Sequence, residues 1–161
     1  MTDEVVTNLR VLAPSRKAPR PGDLFAMQLP DESFLHGRVI STEAKAGPSM
    51  PGAILVYVYD SRSDSCTDPD LSALRPDRLL LGPIMTNRKP WSKGYFQTIA
   101  NQPLHDDDVL TRNCFVDSRG RYLDEKGNIL PGPVEPVGTY GLHSYRSIDD
   151  AVSDALGLPR A

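Results

Sequence analysis

The stretch Gly22-Asp23-Leu24-Phe25-Ala26-Met27-Gln28-Leu29-Pro30-Asp31-Glu32-Ser33-Phe34-Leu35-His36-Gly37-Arg38-Val39-Ile40 decides the fold class. Two apolar runs flank Pro30-Asp31-Glu32-Ser33. Pro fixes φ for a turn, and Asp and Ser bond their own backbone there. The spacing predicts a β-hairpin. Phe25, Met27 and Leu29 alternate onto one face of the first strand. On the second, Leu35, Gly37 and Val39 share a face, and Phe34, His36, Arg38 and Ile40 take the other. A glycine inside such a pattern, here Gly37, marks a bulge or a close backbone approach.

Downstream, Gly47, Pro48, Pro51 and Gly52 predict a loop over 42–52. Ala53-Ile54-Leu55-Val56-Tyr57-Val58-Tyr59 is apolar on both faces and predicts the central strand, covered on both sides. Asp70 to Leu74 suits one helical turn, and 78–86 reads as a strand bent at Gly82-Pro83. Trp91 to Asn101 reads as a turn entering a strand, and 112–116 as a further short strand. Tyr122-Leu123 and Ile129-Leu130 flank a Gly-containing hairpin loop. Only the end is helical. Ser147 is the expected N-cap, and Ile148, Ala151, Val152, Ala155 and Leu156 recur at helical spacing before Gly157 and Pro159. The fold expected is mainly β or α+β: a strongly bent, antiparallel, barrel-like sheet with one C-terminal helix. Residues 1–21, with a Pro-rich basic stretch at 14–21, are expected to form an N-terminal arm. Residues 22–161 are expected to form a single domain.

The chain has 161 residues, enough for one domain with a core that needs no disulfide or metal staple. Hydrophobic residues at 39% and charged residues at 24% exclude a disordered composition. Fifteen prolines argue against long helices. A net charge of −3 disfavours a dedicated nucleic-acid binder, which carries a basic footprint. Two cysteines, Cys66 and Cys114, form no motif and read as reduced thiols of a cytoplasmic protein. The acidic start Met1-Thr2-Asp3-Glu4 is followed by no apolar run suited to a signal peptide or membrane span.

The spacing of Gly22-Asp23, Phe25-Ala26, Leu29-Pro30-Asp31 and Gly37-Arg38-Val39 resembles the opening of the immunity protein 26 family of bacterial polymorphic toxin systems. The likeness recurs in Val56-Tyr57-Val58-Tyr59-Asp60, in Ile84 to Asn87, in Trp91, Gly94, Tyr95 and Phe96, and in Ile99 to Leu104. Together these cover residues 22–104; the C-terminal stretch is compatible but less alike. The resemblance implies a protein that neutralises a toxin by binding it. It carries over no partner-binding residue, because interface positions in so diverse a family vary.

No catalytic signature stands in the chain: no Gly-x-Ser-x-Gly, no phosphate-cradling glycine loop, no His-Glu-x-x-His. His36, His105 and His143 are scattered. His36 is weighed as a general base against a solvated or structurally hydrogen-bonded residue, and the second reading is preferred. Cys66 as a nucleophile is disfavoured by Asp64 and Asp68, which oppose a thiolate. His105-Asp106-Asp107-Asp108 is weighed as a divalent-cation site, but consecutive residues seldom converge on one ion. A solvated acidic loop is the plainer reading, and a loop docking on a basic toxin the sharper one. Trp91, Tyr95 and Phe96 read as core anchors rather than as an exposed hot spot. Arg38 has two open readings: an internal salt-bridge donor, to Asp23 or Asp60, or the lining of a small pocket.

The expectation is therefore a cytoplasmic, non-enzymatic immunity protein without cofactor or metal. Its partner would be a cognate toxin domain, with a nuclease as one candidate, and neither nucleic acid nor membrane. Blocking would be steric and electrostatic, through Asp106, Asp107 and Asp108, with Asp149, Asp150 and Asp154 as a second acidic group. The alternative is a small bent-sheet barrel that binds nucleic acid or cleaves RNA, as ribonuclease toxins of toxin–antitoxin pairs do.

Overall fold

The structure, a computed structural model, describes residues 6–161. The acidic start at 1–4 and Val5, the first five residues of the expected N-terminal arm, lie outside the described residues. The strands are β1 (Asp23–Gln28), β2 (Phe34–Ala44), β3 (Ala53–Ser63), β4 (Ile84–Thr86), β5 (Gln97–Asn101), β6 (Cys114–Val116), β7 (Tyr122–Leu123), β8 (Ile129–Leu130), β9 (Val137–Thr139) and β10 (Leu142–His143). The α-helices are α1 (Lys89–Ser92) and α2 (Tyr145–Leu156), and single 3₁₀ turns lie at Leu71–Ala73 and Asp106–Asp108.

β1 and β2 form the expected antiparallel hairpin, with Met27 opposite Leu35 and Gln28 opposite Phe34. Its turn is closed by the Leu29 N–H on the Ser33 carbonyl at 2.8 Å. The Asp31 carboxylate accepts the Ser33 N–H at 3.0 Å. The hairpin sits inside a six-stranded sheet of order β10-β4-β3-β2-β1-β5. A second sheet, β8-β7-β6-β9, contains the expected β7–β8 hairpin. The α+β class holds. The expected antiparallel, barrel-like sheet is a loose description: the sheets are mixed, since β10 pairs with β4 and β9 with β6 in parallel, and the six-stranded sheet ends at β5 and β10 without closing.

β3 shows why the sheet is buried on both sides. Ile54, Val56 and Val58 enter one core, and Leu55, Tyr57 and Tyr59 the other. The first core gathers Phe25, Met27, Leu35 and Val39 under Trp91, Phe96, and Ile148 and Val152 of α2. The second packs Leu24, Ile40 and Met85 against Leu74 and Phe115 of the small sheet. Each large side chain removed from water contributes about 1.5–3 kcal/mol. Trp91, Tyr95 and Phe96 are all buried, as core anchors should be. Phe25 stacks on Phe96 at 4.4 Å and meets Trp91 edge-on at 5.5 Å. This ring cluster explains Gly37. A Cβ there would lie 2.6 Å from Phe25 Cε2 and 2.7 Å from the Tyr57 carbonyl oxygen, and the register shifts beside it, between Leu35 and Gly37.

Other expectations need correction. Trp91 lies in the short helix α1, which Pro90 helps to start, and not in a turn leading straight to a strand. The strand expected over 78–86 is reduced to β4, because Gly82-Pro83 breaks the ladder. Leu79 keeps one isolated bridge to Tyr59. The N-cap of α2 is Ser144, not Ser147: the Ser144 side chain accepts the Ser147 N–H at 3.1 Å. Gly157 closes that helix in the left-handed conformation, as expected, at φ 70°. Among the described residues, no helix is long and apolar enough to cross a membrane.

Candidate partner-binding site

The acidic turn follows β5, at the edge of the six-stranded sheet. Its geometry comes from backbone and carboxylate together. The Asp108 N–H donates to the His105 carbonyl at 2.9 Å, and the His105 N–H donates to Asp108 Oδ2 at 2.8 Å. The other oxygen, Asp108 Oδ1, lies 3.3 Å from Nη1 of Arg38. Asp108 is thus turned inward, while Asp106 and Asp107 stay exposed.

Behind the turn, the chain is tied down by Tyr57. Its hydroxyl donates to Asn113 Oδ1 and accepts the Leu110 N–H at 3.2 Å. Burial pushes this hydroxyl up to about 12, so it keeps its proton and remains a donor. A rigid strand therefore holds the C-terminal flank of the acidic segment.

Arg38 resolves its two readings in one place. It is only 5% exposed, and its ion-pair partner is Asp108 rather than Asp23 or Asp60. Nη2 also donates to the Gln102 carbonyl at 3.0 Å, while Nε has no partner. Arg38 also lines a cleft of about 350 Å³, which Leu71, Leu74, Pro103 and His105 help to wall. Beside it the Tyr59 hydroxyl is buried without a hydrogen-bond partner. Burial raises the Tyr59 pKa far above the tyrosine range, and the neighbouring guanidinium offsets part of that rise.

The second acidic group is arranged differently. Asp149 is 3% exposed, and its carboxylate accepts the N–H groups of Leu9 at 2.7 Å and Asn8 at 3.1 Å. It is withdrawn from the surface. Asp154 pairs with Arg160 at 2.7 Å, and Asp150 lies 3.8 Å from the same guanidinium. The two groups do not converge, because α2 covers the first core and the acidic turn borders the second.

His36 is 1% exposed, and its Nε2 donates to the Cys66 carbonyl at 2.8 Å. Burial holds its pKa below the ordinary value, so it is a neutral structural group. Burial also pushes the Cys66 thiol up, away from nucleophilic character. Cys66 and Cys114 are both free thiols. Among the described residues, no three His, Cys, Asp or Glu side chains gather as a metal site.

Sequence reasoning did not find Tyr59, Leu71, Leu74 or the Gln102 carbonyl. Strand parity placed Arg38 on the correct face, but nothing local announced a partner 70 positions away.

No curated protein and no solved structure matches the chain. The family model described as Immunity protein 26 matches residues 20–120, which span β1 through β6 and include both Arg38 and the acidic turn. The chain belongs to the immunity protein 26 family.

Proposed function

We propose that the protein neutralises a bacterial toxin domain by binding it, as a non-catalytic antagonist in the cytoplasm. Family membership supports an immunity role. The observation that carries the mechanism is the acidic turn, where Asp106 and Asp107 are exposed while Asp108 is anchored on Arg38. Two free carboxylates on a segment fixed by Tyr57 and Arg38 suit a basic surface, such as the phosphate-binding face of a nuclease toxin. Pre-ordering lowers the entropy cost of association, and opposite charge speeds encounter.

The test is co-expression with the toxin domain encoded beside the gene, scored for survival and for co-purification. Rescue with a stable complex is the expected outcome. Loss of both, with the toxin shown to be active alone, would overturn the reading.

A further inference from the structure

We propose that β5 accepts an extended segment of the toxin as a further strand of the large sheet, with acidic side chains of that segment turned to the N-terminal arm; this rests on the toxin-binding reading above. The two sheets end at β5, β10, β8 and β9. β10 and β8 have two residues and β9 has three, whereas β5 has five, Gln97–Asn101. Among the described residues, β5 pairs with β1 alone, and no backbone hydrogen bond from a loop or turn reaches it. An edge strand presents a row of unpaired N–H and C=O groups, a template for another strand. Proteins commonly blunt such an edge with Lys or Pro, and Gln97-Thr98-Ile99-Ala100-Asn101 has no charge and no Pro. At the bulge in β5, Ile99 has no partner on β1 and packs on the second core. Thr98, Ala100 and Asn101 stay exposed.

The flanks of the edge select the occupant. A cleft of about 200 Å³ lies between residues 13–18 of the arm and Gln97, Thr98 and Asp23. The arm is pinned elsewhere, by the Leu12 N–H on the Gly94 carbonyl at 2.8 Å and the Ser15 N–H on the Trp91 carbonyl at 3.0 Å. It therefore lies on the α1 face of the sheet. Residues 10–22 and 87–104 carry cations and no acidic residue. Arg16 and Lys17 on the arm, and Lys89 and Lys93 at α1, are exposed. In a strand added to β5, alternate side chains turn to that face, where acidic ones meet opposite charge. A second copy of this chain fits less well. Antiparallel pairing of two β5 edges keeps each face on its own side of the joined sheet, so one basic arm would meet another.

The experiment follows the backbone amides of β5 by nuclear magnetic resonance, in the free protein and in its complex with the toxin domain encoded beside the gene. In the complex, amides within 97–101 are expected to exchange with solvent at least about tenfold more slowly. They should also show backbone-to-backbone Overhauser contacts with the toxin. Arg16→Glu with Lys17→Glu, at two exposed side chains, should weaken the complex by about tenfold or more. A complex that forms without toxin backbone contacts at 97–101 overturns the proposal and leaves toxin binding standing. Those contacts made between two copies of this chain, with a dimer on sedimentation of the free protein, overturn it in favour of self-pairing. A complex unchanged or tightened by the charge reversal overturns the acidic assignment of the added strand. Failure of the wild-type protein to bind overturns the toxin reading itself, and the added strand with it.

Discussion

Asp149, on α2, accepts the backbone N–H of Leu9 at 2.7 Å and so fastens together two segments 140 positions apart. The same carboxylate takes the Asn8 N–H, and the Asn8 side chain donates to Ser153 Oγ at 2.7 Å and to the Pro159 carbonyl at 2.8 Å. Leu9 is 3% exposed and belongs to the first core. Asp149→Ala strips two backbone donors of their acceptor, one of them buried, and is expected to cost about 2–3 kcal/mol in urea unfolding. Asp149→Asn should fall between that variant and wild type. Asp150→Ala, at a solvent-exposed ion pair, should leave the transition where it is. A wild-type midpoint for Asp149→Ala would show that the N-terminal segment is held by something else.

Gly37→Ala is expected to destabilise the protein by about 1–3 kcal/mol, as overpacking of a filled core does. The new methyl would meet the Phe25 ring on one side and the Tyr57 carbonyl on the other. Phe25→Leu in the same chain relieves the first clash, so the double variant should lose less than the two single losses combined. Additive losses in a denaturant series would place the strain at the Tyr57 carbonyl alone.

The parts of this fold legible in the sequence are those where one strand's own residues carry the signal. Alternation in Asp23–Gln28, the doubly apolar run in Ala53–Tyr59, and the Gly157 stop after a helical stripe all came through. The misses have a common cause. β9 and β10 have three and two residues, too few to show a period, and exist because β6 and β4 offer edges to them. α1 has four residues and is fixed by the packing of Trp91. The parallel pairings depend on how the chain crosses over, which no local pattern encodes. At the candidate site, the acidic turn was plain from composition. Its division into an inward Asp108 and outward Asp106 and Asp107 was not, because Arg38 acts from another strand.

His36 gives the protein a pH dependence whose sign follows from burial. Its folded pKa lies below the ordinary 6.5, because burial disfavours the imidazolium more than the Cys66 carbonyl favours it. As the pH falls through 6.5, the unfolded chain takes up a proton that the folded chain refuses. Stability from this group is therefore complete above pH 6.5, and it is lost as the pH falls towards the lowered folded pKa. In His36→Gln, which retains an N–H donor for Cys66, the stability curve should be flatter as the pH falls below 6.5. Parallel curves for the two proteins would mean that His36 protonates equally in both states.

The acidic turn presents two carboxylates to solvent. Asp106 and Asp107 are exposed, whereas Asp108 is already held by Arg38 and the His105 N–H. Asp106→Lys with Asp107→Lys reverses the charge of the turn without breaking its anchor. Against a basic toxin, the association rate should fall by about tenfold or more at low salt. That gap should close as ionic strength rises to about 0.5 M and the screening length shrinks. Dissociation should change less, because steering acts on encounter and not on the packed complex. Reversal of Asp150 and Asp154 is the comparison, since Arg160 already balances that pair and α2 lies over the other core. An association rate indifferent to the first reversal and sensitive to the second would move the interface to the helix face. Indifference to both would leave the toxin surface without a basic patch to meet.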